Sequence, residues 1–333
     1  MKVRFKELRL ASLAAVAVAA VVAGAAGAGN AASAEKFKEP KLKHGLLKIK
    51  GTHEGDNIAI RLRAGEPGVL DVDVDKDAVA DFSFRRDEVT TIDVDAHAGD
   101  DTISLDETNG VFTTGVTTTI GGGEGNDTLF GGAGAETLLG GDGDDFVDGN
   151  GGNDVALLGD GDDVFVWDPG DGSDVIEGEA GLDTMLFNGA GGAEQVDLSA
   201  NGNRLRFFRT QANITMDTND VERVDFNALG GADLITVNDL TGTDVDDVRL
   251  DLGAADGQAD RVIVNATDGD DDIVVDGGAG DVTASGLAAT IAITNAEAGD
   301  RLDVNTLQGT DTVDFAALAA DAIHLFVDGL LVN

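Results

Sequence analysis

Apolar and polar residues alternate in short runs along most of the chain, and each run stops at a turn. Ile92–Ile103 reads as an alternating strand, a four-residue turn and then x-Asp-x-Ile, with Asp101 in the acidic slot. The same frame fits Val224–Ile235, Val262–Ile273 and Leu302–Val313, with Asp233, Asp271 and Asp311 in that slot. Leu47–Ile58 fits more loosely, with Asn57 read in the acidic slot. Alternation of period two is the mark of a half-buried strand, and further strand-like runs lie at Arg204–Arg209, Val248–Leu252, Thr290–Ile293 and Ala322–Val327. The starts Val224, Val262 and Leu302 are spaced about forty residues apart, as multi-strand repeat units are. Helix signals are almost absent after Ala34. The pattern predicts an all-β chain over residues 46–333, arranged as a solenoid or stacked repeat array. The outer aspartates Asp101, Asp233, Asp271 and Asp311 are expected to cap turns rather than to bind metal, because their turns lack a full glycine set and occur singly.

In the middle of the chain the period becomes nine. From Gly122 to Val166 the units read GGEGNDTLF, GGAGAETLL, GGDGDDFVD, GNGGNDVAL and LGDGDDVFV. After a two-residue insertion, Trp167-Asp168, come PGDGSDVIE and GEAGLDTML, ending at Leu186. All seven units carry Gly at position four and an acid at position six. Each divides into a six-residue turn and a three-residue strand. Glycine allows backbone angles closed to other residues, so such a turn can aim its carbonyl oxygens at one point. The candidate glycines are Gly123, Gly125, Gly132, Gly134, Gly141, Gly143, Gly152 and Gly161. The candidate carboxylates are Asp127, Glu136, Asp145, Asp154, Asp163, Asp174 and Asp183. Calcium, a hard cation that takes about six to eight oxygens, suits that donor set. Position eight (Leu129, Leu138, Val147, Ala156, Phe165, Ile176 and Met185) is expected to point inward. So thin a core cannot offset the ordering of so many glycines, and metal is expected to contribute to the fold itself.

This signature resembles the hemolysin-type, or RTX, calcium-binding repeat, GGxGxDxUx with a large apolar residue at U. The resemblance implies a parallel β-roll, two units to a coil, with calcium ions between repeat n and repeat n+2. One stack would hold Asp127, Asp145, Asp163 and Asp183, giving three sites. The other would hold Glu136, Asp154 and Asp174, giving two. Glu136 departs from the family's Asp, and its extra methylene should make its site the weakest. The second stack is irregular at Asn150, and the insertion at Trp167-Asp168 is expected to shift the register of the turns beside it.

Charge sharpens this picture. The net charge is −41, which excludes general nucleic-acid binding. Residues 1–50 carry ten basic against three acidic side chains, so the rest is more acidic still and demands cations. Residues 1–34 read as a signal peptide, with Lys2, Arg4, Lys6 and Arg9 ahead of an apolar stretch and Ala32-Ser33-Ala34 as the cleavage site. Export would place the mature chain in an extracellular, calcium-rich setting, without stable membrane insertion. The expected segments are a basic linker at 35–50, a β-repeat segment at 51–120, the calcium-binding roll at 121–189 and a second β-repeat segment at 190–333. The chain has no Cys, so neither disulfides nor thiol chemistry enter.

No catalytic set assembles from the sequence. His44, His53, His97 and His324 are scattered, His53-Glu54 lacks the second His of the zinc-protease pattern, and no Gly-x-Ser-x-Gly elbow occurs. Arg204, Arg206 and Arg209 on RLRFFR are the one basic cluster in the acidic part. They carry the alternative reading, a calcium-dependent, lyase-like enzyme acting on acidic polysaccharide. The favoured reading is a secreted calcium-binding structural or adhesive protein without enzymatic activity, its partners calcium ions and cell-surface or matrix polysaccharide.

Overall fold

A computed structural model of the chain describes residues 36–75, 77–253 and 257–333; residues 1–34, read from the sequence as a signal peptide, lie outside them. The described residues form short strands in two sheets, one of 15 strands and one of 14. The chain enters through β1 (Lys41–Lys43) and β2 (Leu46–Lys50), a hairpin at the edge of the first sheet. It continues as β3 (Asn57–Arg63), β4 (Glu66–Asp73) and β5 (Phe82–Arg85), an antiparallel meander at the edge of the second. From there it winds regularly, one strand in each sheet per coil. The pairs are β6 (Thr91–Ala98) and β7 (Thr102–Asp106), β8 (Thr117–Glu124) and β9 (Thr128–Phe130), β10 (Glu136–Asp142) and β11 (Phe146–Asp148), β12 (Val155–Asp160) and β13 (Val164–Trp167), and β14 (Val175–Ala180) and β15 (Thr184–Asn188). All these coils pair in parallel with the next, in register, so Leu138 lies beside Ala156 and Val147 beside Phe165.

Beyond β15 the winding is interrupted twice. β16 (Gln195–Asn201), β17 (Arg204–Arg209) and β18 (Ile214–Asn219) form a meander inserted into the first sheet, followed by β19 (Arg223–Asn227), β20 (Leu234–Val237), β21 (Asp247–Asp251) and β22 (Arg261–Asn265). A second meander, β23 (Asp272–Gly278), β24 (Asp281–Ser285) and β25 (Thr290–Thr294), enters the other sheet. The chain ends with β26 (Arg301–Asn305), β27 (Thr312–Asp314), β28 (His324–Val327) and β29 (Leu330–Leu331). The two insertions compensate. Because β18 lies against β14 and β16 against β20, the first sheet runs two strands ahead; β25 against β21 and β23 against β27 return the same gain to the second. Counted from β18 and β19, both sheets reach β26 and β27 after five strands. Two sheets that bury each other need matched lengths, or apolar faces are left uncovered.

The core is the single file of inward side chains that the nonapeptide spacing predicts. Leu129, Leu138, Val147, Ala156, Phe165, Ile176 and Met185 are all buried. Where the first meander enters, it widens into an aromatic cluster, with Phe187 centred 4.4 Å from Trp167, 5.3 Å from Phe207 and 4.9 Å from Phe226. Arg209 is buried beside it, its guanidinium forked onto Glu194 at 2.6 and 2.8 Å. Removing one partner of a buried pair leaves the other charge stranded, at about 3–5 kcal/mol. Arg209→Ala is therefore expected to lower the melting temperature markedly, whereas Arg85→Ala, whose pair with Asp87 is exposed, leaves it nearly unchanged. Equal melting curves would contradict this.

Three expectations are corrected here. Residues 36–50 are not simply a linker, because β2 pairs with β6, buries Leu47 and Ile49, and sets Lys48 and Lys50 on Asp93 and Asp95. The boundary at 120/121 is crossed by β8, so the flank and the nonapeptides share a strand. The insertion at Trp167-Asp168 does not shift the register: Phe165 still pairs with Met185, and Trp167 with Phe187. The extra residues lengthen β13 and form a turn held by Trp167 Nε1 on the Gly172 carbonyl, 2.9 Å.

Candidate metal centre

The position-six acids stand in two ladders, one on each side of the roll. On the first, the backbone N–H of Asp127 donates to Asp145 Oδ1, that of Asp145 to Asp163 and that of Asp163 to Asp183, at 2.7, 2.7 and 2.9 Å. On the second, Glu136 N–H donates to Asp154 Oδ1 and Asp154 N–H to Asp174 Oδ1, at 2.7 and 2.8 Å. One carboxylate oxygen of each acceptor is thus spent on tying two coils together. The other oxygen is buried with no hydrogen-bond partner, at Oδ2 of Asp127, Asp145, Asp154, Asp163, Asp174 and Asp183 and at Oε1 of Glu136. Buried polar atoms are nearly always paired, so seven unpaired atoms at one repeat position mark a place built for a ligand.

The glycines bring carbonyls to the same place. A Cβ added to Gly141 would overlap the carbonyl oxygen of Gly123, and one on Gly159 that of Gly141. Likewise the carbonyls of Gly125, Gly143 and Gly134 occupy the space where Gly143, Gly161 and Gly152 would carry a side chain. Gly132 is different, being packed on the Thr113 side chain. The unpaired carboxylate oxygens lie against this lining, since Asp127 Oδ2 and Asp145 Oδ2 fill the Cβ positions of Gly122 and Gly140. Carboxylate and carbonyl oxygens, with no nitrogen or sulfur, fit a hard divalent cation.

Residues 119–147, 130–165 and 170–193 match the family described as RTX calcium-binding nonapeptide repeat (4 copies). The nonapeptide block is a run of RTX-type calcium-binding repeats. Among solved structures, the extracellular lipase LipA from Serratia marcescens is similar over 62% of this chain at 12% identity, with a TM-score of 0.19. The chain spans 43% of that lipase. No curated protein matches the chain.

Burial sets the electrostatics of the RTX turns. It pushes the carboxyls of Asp127 and Asp163 up to about 6, those of Glu136, Asp145, Asp174 and Asp183 to about 7 and that of Asp154 to about 8. Donated backbone N–H groups oppose the rise, and neighbouring carboxylates add to it. A dication beside the free oxygens would reverse this balance and favour the charged form.

Glu136 is the exception within the ladders. It folds back to accept the N–H of Gly132 in its own turn, at 2.9 Å. Beyond it, Glu107 closes that side by accepting from Phe112, Thr113 and Ala133. On the first side the ladder is closed by Glu222, which accepts the N–H of Asp183 at 2.8 Å.

The flanks continue the same ladder, which the sequence reading divided from the nonapeptides. Asp56 N–H donates to Asp101 Oδ1 and Asp101 N–H to Asp127 Oδ1, at 2.6 and 2.7 Å. The acidic slot of the first frame is therefore Asp56, one residue before Asn57, which pairs with Thr102. Farther along, Glu194, Asp233, Asp260 and Asp300 form another run, and Asp271 N–H donates to Asp311 Oδ1. At four of these flank acids the second oxygen changes role. Asp56 gives it to Thr52 N–H, Asp271 to Thr267 N–H, Asp300 to Glu297 N–H, and Glu194 to Arg209. Asp101 does not follow the flanks: its Oδ2 is buried without a partner and burial lifts its carboxyl to about 7. Its turn keeps Gly99, Asp101 and Ile103 at RTX positions four, six and eight, but has Ala96-His97 for the glycine pair. His97 takes the positive φ of 80° that Gly123 takes in the next coil.

The arginine cluster does not converge. Arg204 pairs with Glu177 and Asp217 at 2.8 and 2.6 Å, Arg206 lies over Phe208 and 3.6 Å from Asp197, and Arg209 points into the core.

Proposed function

We propose that this RTX protein is exported, takes up calcium along both ladders and uses the ions to complete its fold as an extracellular structural protein. The observation that carries the reading is the unpaired buried oxygen repeated at every RTX acid. Asp127, Asp145, Asp163 and Asp183 would hold ions on the first side, joined by Asp101, and Glu136, Asp154 and Asp174 on the second, each with glycine carbonyls of the adjoining turns. Bound calcium would supply positive charge and oxygen-to-oxygen links between coils that no side chain here can supply. Asp56, Asp271, Asp300 and Glu194, whose second oxygens already have protein partners, would hold their coils without metal. Secretion is supported by the basic and apolar residues 1–34. No helix among the described residues is long and apolar enough to cross a membrane.

Counting bound calcium by equilibrium dialysis tests the assignment. Asp145→Asn and Asp101→Asn are each expected to lower the count, and Asp271→Asn to leave it unchanged. A full-length protein that retains no calcium at millimolar concentration, or an Asp145→Asn variant with an undiminished count, would remove the basis for the proposal.

A further inference from the structure

The turn between β4 and β5 holds a group of acids that the ladders do not use. We infer that Asp73, Asp75 and Asp81 form a second kind of calcium site, a single hairpin loop rather than a stacked pair of turns. Oxygens of these three carboxylates lie within 4.8 Å of one another. Carboxylate oxygens that share one calcium ion, each about 2.4 Å from it, lie no farther apart than that. The second observation is burial. Asp73 is fully buried; its Oδ2 receives Arg61 at 2.8 Å, while its Oδ1 is buried with no hydrogen-bond partner. Arg61 thus neutralises one side of the carboxylate and leaves the other to a ligand.

The backbone is already arranged around that point. Asp81 N–H donates to the Val72 carbonyl at 3.0 Å and Val74 N–H to Asp81 Oδ2 at 3.0 Å, which draws Asp81 across the loop toward Asp73. Asp73, Asp75, Asp77 and Asp81 fall at positions one, three, five and nine of the loop, the spacing from which a single calcium loop takes its side-chain ligands. At position six, where such loops turn sharply, Ala78 has φ 67°. Position twelve is Phe84, so the bidentate carboxylate that strengthens such loops is replaced by an apolar side chain. Solvent must complete the shell, which places the affinity near the weak, extracellular end of the range, on the order of 10⁻⁴–10⁻³ M. No ladder acid belongs to this group, so the inference stands apart from the assignment of the RTX turns.

Hydrogen exchange on the full mature chain, with calcium chloride as the probe, separates the two. In saturating calcium, amides of residues 74–81 are expected to exchange about tenfold slower than in an Asp75→Asn/Asp81→Asn variant. Amides of β3, β4 and the RTX turns should be equally protected in both. Equilibrium dialysis should count one ion fewer in the variant. Equal exchange at 74–81 in the two proteins, an unchanged calcium count, or the same protection produced by magnesium alone would each overturn the inference. Loss of the RTX response with the loop response intact would instead count against the ladders.

Discussion

In chelator at pH 8 the chain is expected to lose the β-structure of its RTX coils, and millimolar calcium is expected to restore it. The expectation rests on the second oxygens. An unsatisfied buried polar group costs about 1–3 kcal/mol, and more when charged. Seven of them across four coils reach the whole stability of an ordinary domain, about 5–15 kcal/mol. The file of inward residues from Leu129 to Met185, with an alanine in its middle, has little to set against that. Acidity gives the claim a direction. The ladder carboxyls have folded values raised to about 6–8, above the unfolded value near 4. Without metal their contribution to stability is fully present below the unfolded value and is lost as pH rises through the folded values. The chelated protein should therefore melt higher at pH 5 than at pH 8, and with calcium the order should invert, because the ions require the deprotonated form. Asp303 opposes the trend at lower pH: burial raises its carboxyl, but Arg301 and Arg261 hold it below the usual range, so its contribution fades on acidification. Far-UV circular dichroism and thermal melts at the two pH values, with and without calcium, read all of this. A chelated chain already fully β at pH 8 and indifferent to calcium would end the argument.

The parts of this design that were legible in the sequence are those set by spacing. Acids 18 residues apart must land on the same side of a two-unit coil, and the hydrogen bonds join those pairs, as from Asp127 to Asp145. The inward positions followed from the same count. What spacing could not reveal was anything decided by a partner distant in sequence. Lys48 and Lys50 make the entry segment look like a charged tether, yet they alternate with Leu47 and Ile49 and meet aspartates 45 residues on. Asp101 looked like its flanking relatives because Ala96-His97 breaks the glycine pair. Only the geometry shows that its free oxygen matches Asp127 and not Asp56. The meanders were legible as strands, such as Arg204–Arg209, but not as compensating insertions, since strand order is a property of the whole sheet.

Gly143→Ala is expected to be among the most damaging single changes in the chain, and Gly65→Ala a mild one. Both glycines have positive φ, 129° and 77°, so both substitutions incur backbone strain, about 1–2 kcal/mol for a left-handed alanine. The difference lies in what the new methyl meets. At Gly65 there is nothing within 4 Å. At Gly143 the methyl would overlap the carbonyl carbon and oxygen of Gly125 and approach Asn126. The Gly125 atoms are backbone of the neighbouring coil, fixed by the strands on either side, and cannot rotate away as the end of a long side chain could. The turn must instead be pushed outward, carrying with it the carbonyls that line the site of Asp127 and Asp145. Calcium-dependent melts should then need at least about tenfold more calcium to reach the same midpoint for Gly143→Ala, equivalent to about 1.4 kcal/mol of lost binding for each tenfold step. Gly65→Ala should follow the unmodified chain at every calcium concentration, displaced only by its strain. Superimposable calcium dependence for the two variants would mean that the glycine carbonyls do not line a metal site, and that the RTX glycines serve the turn alone.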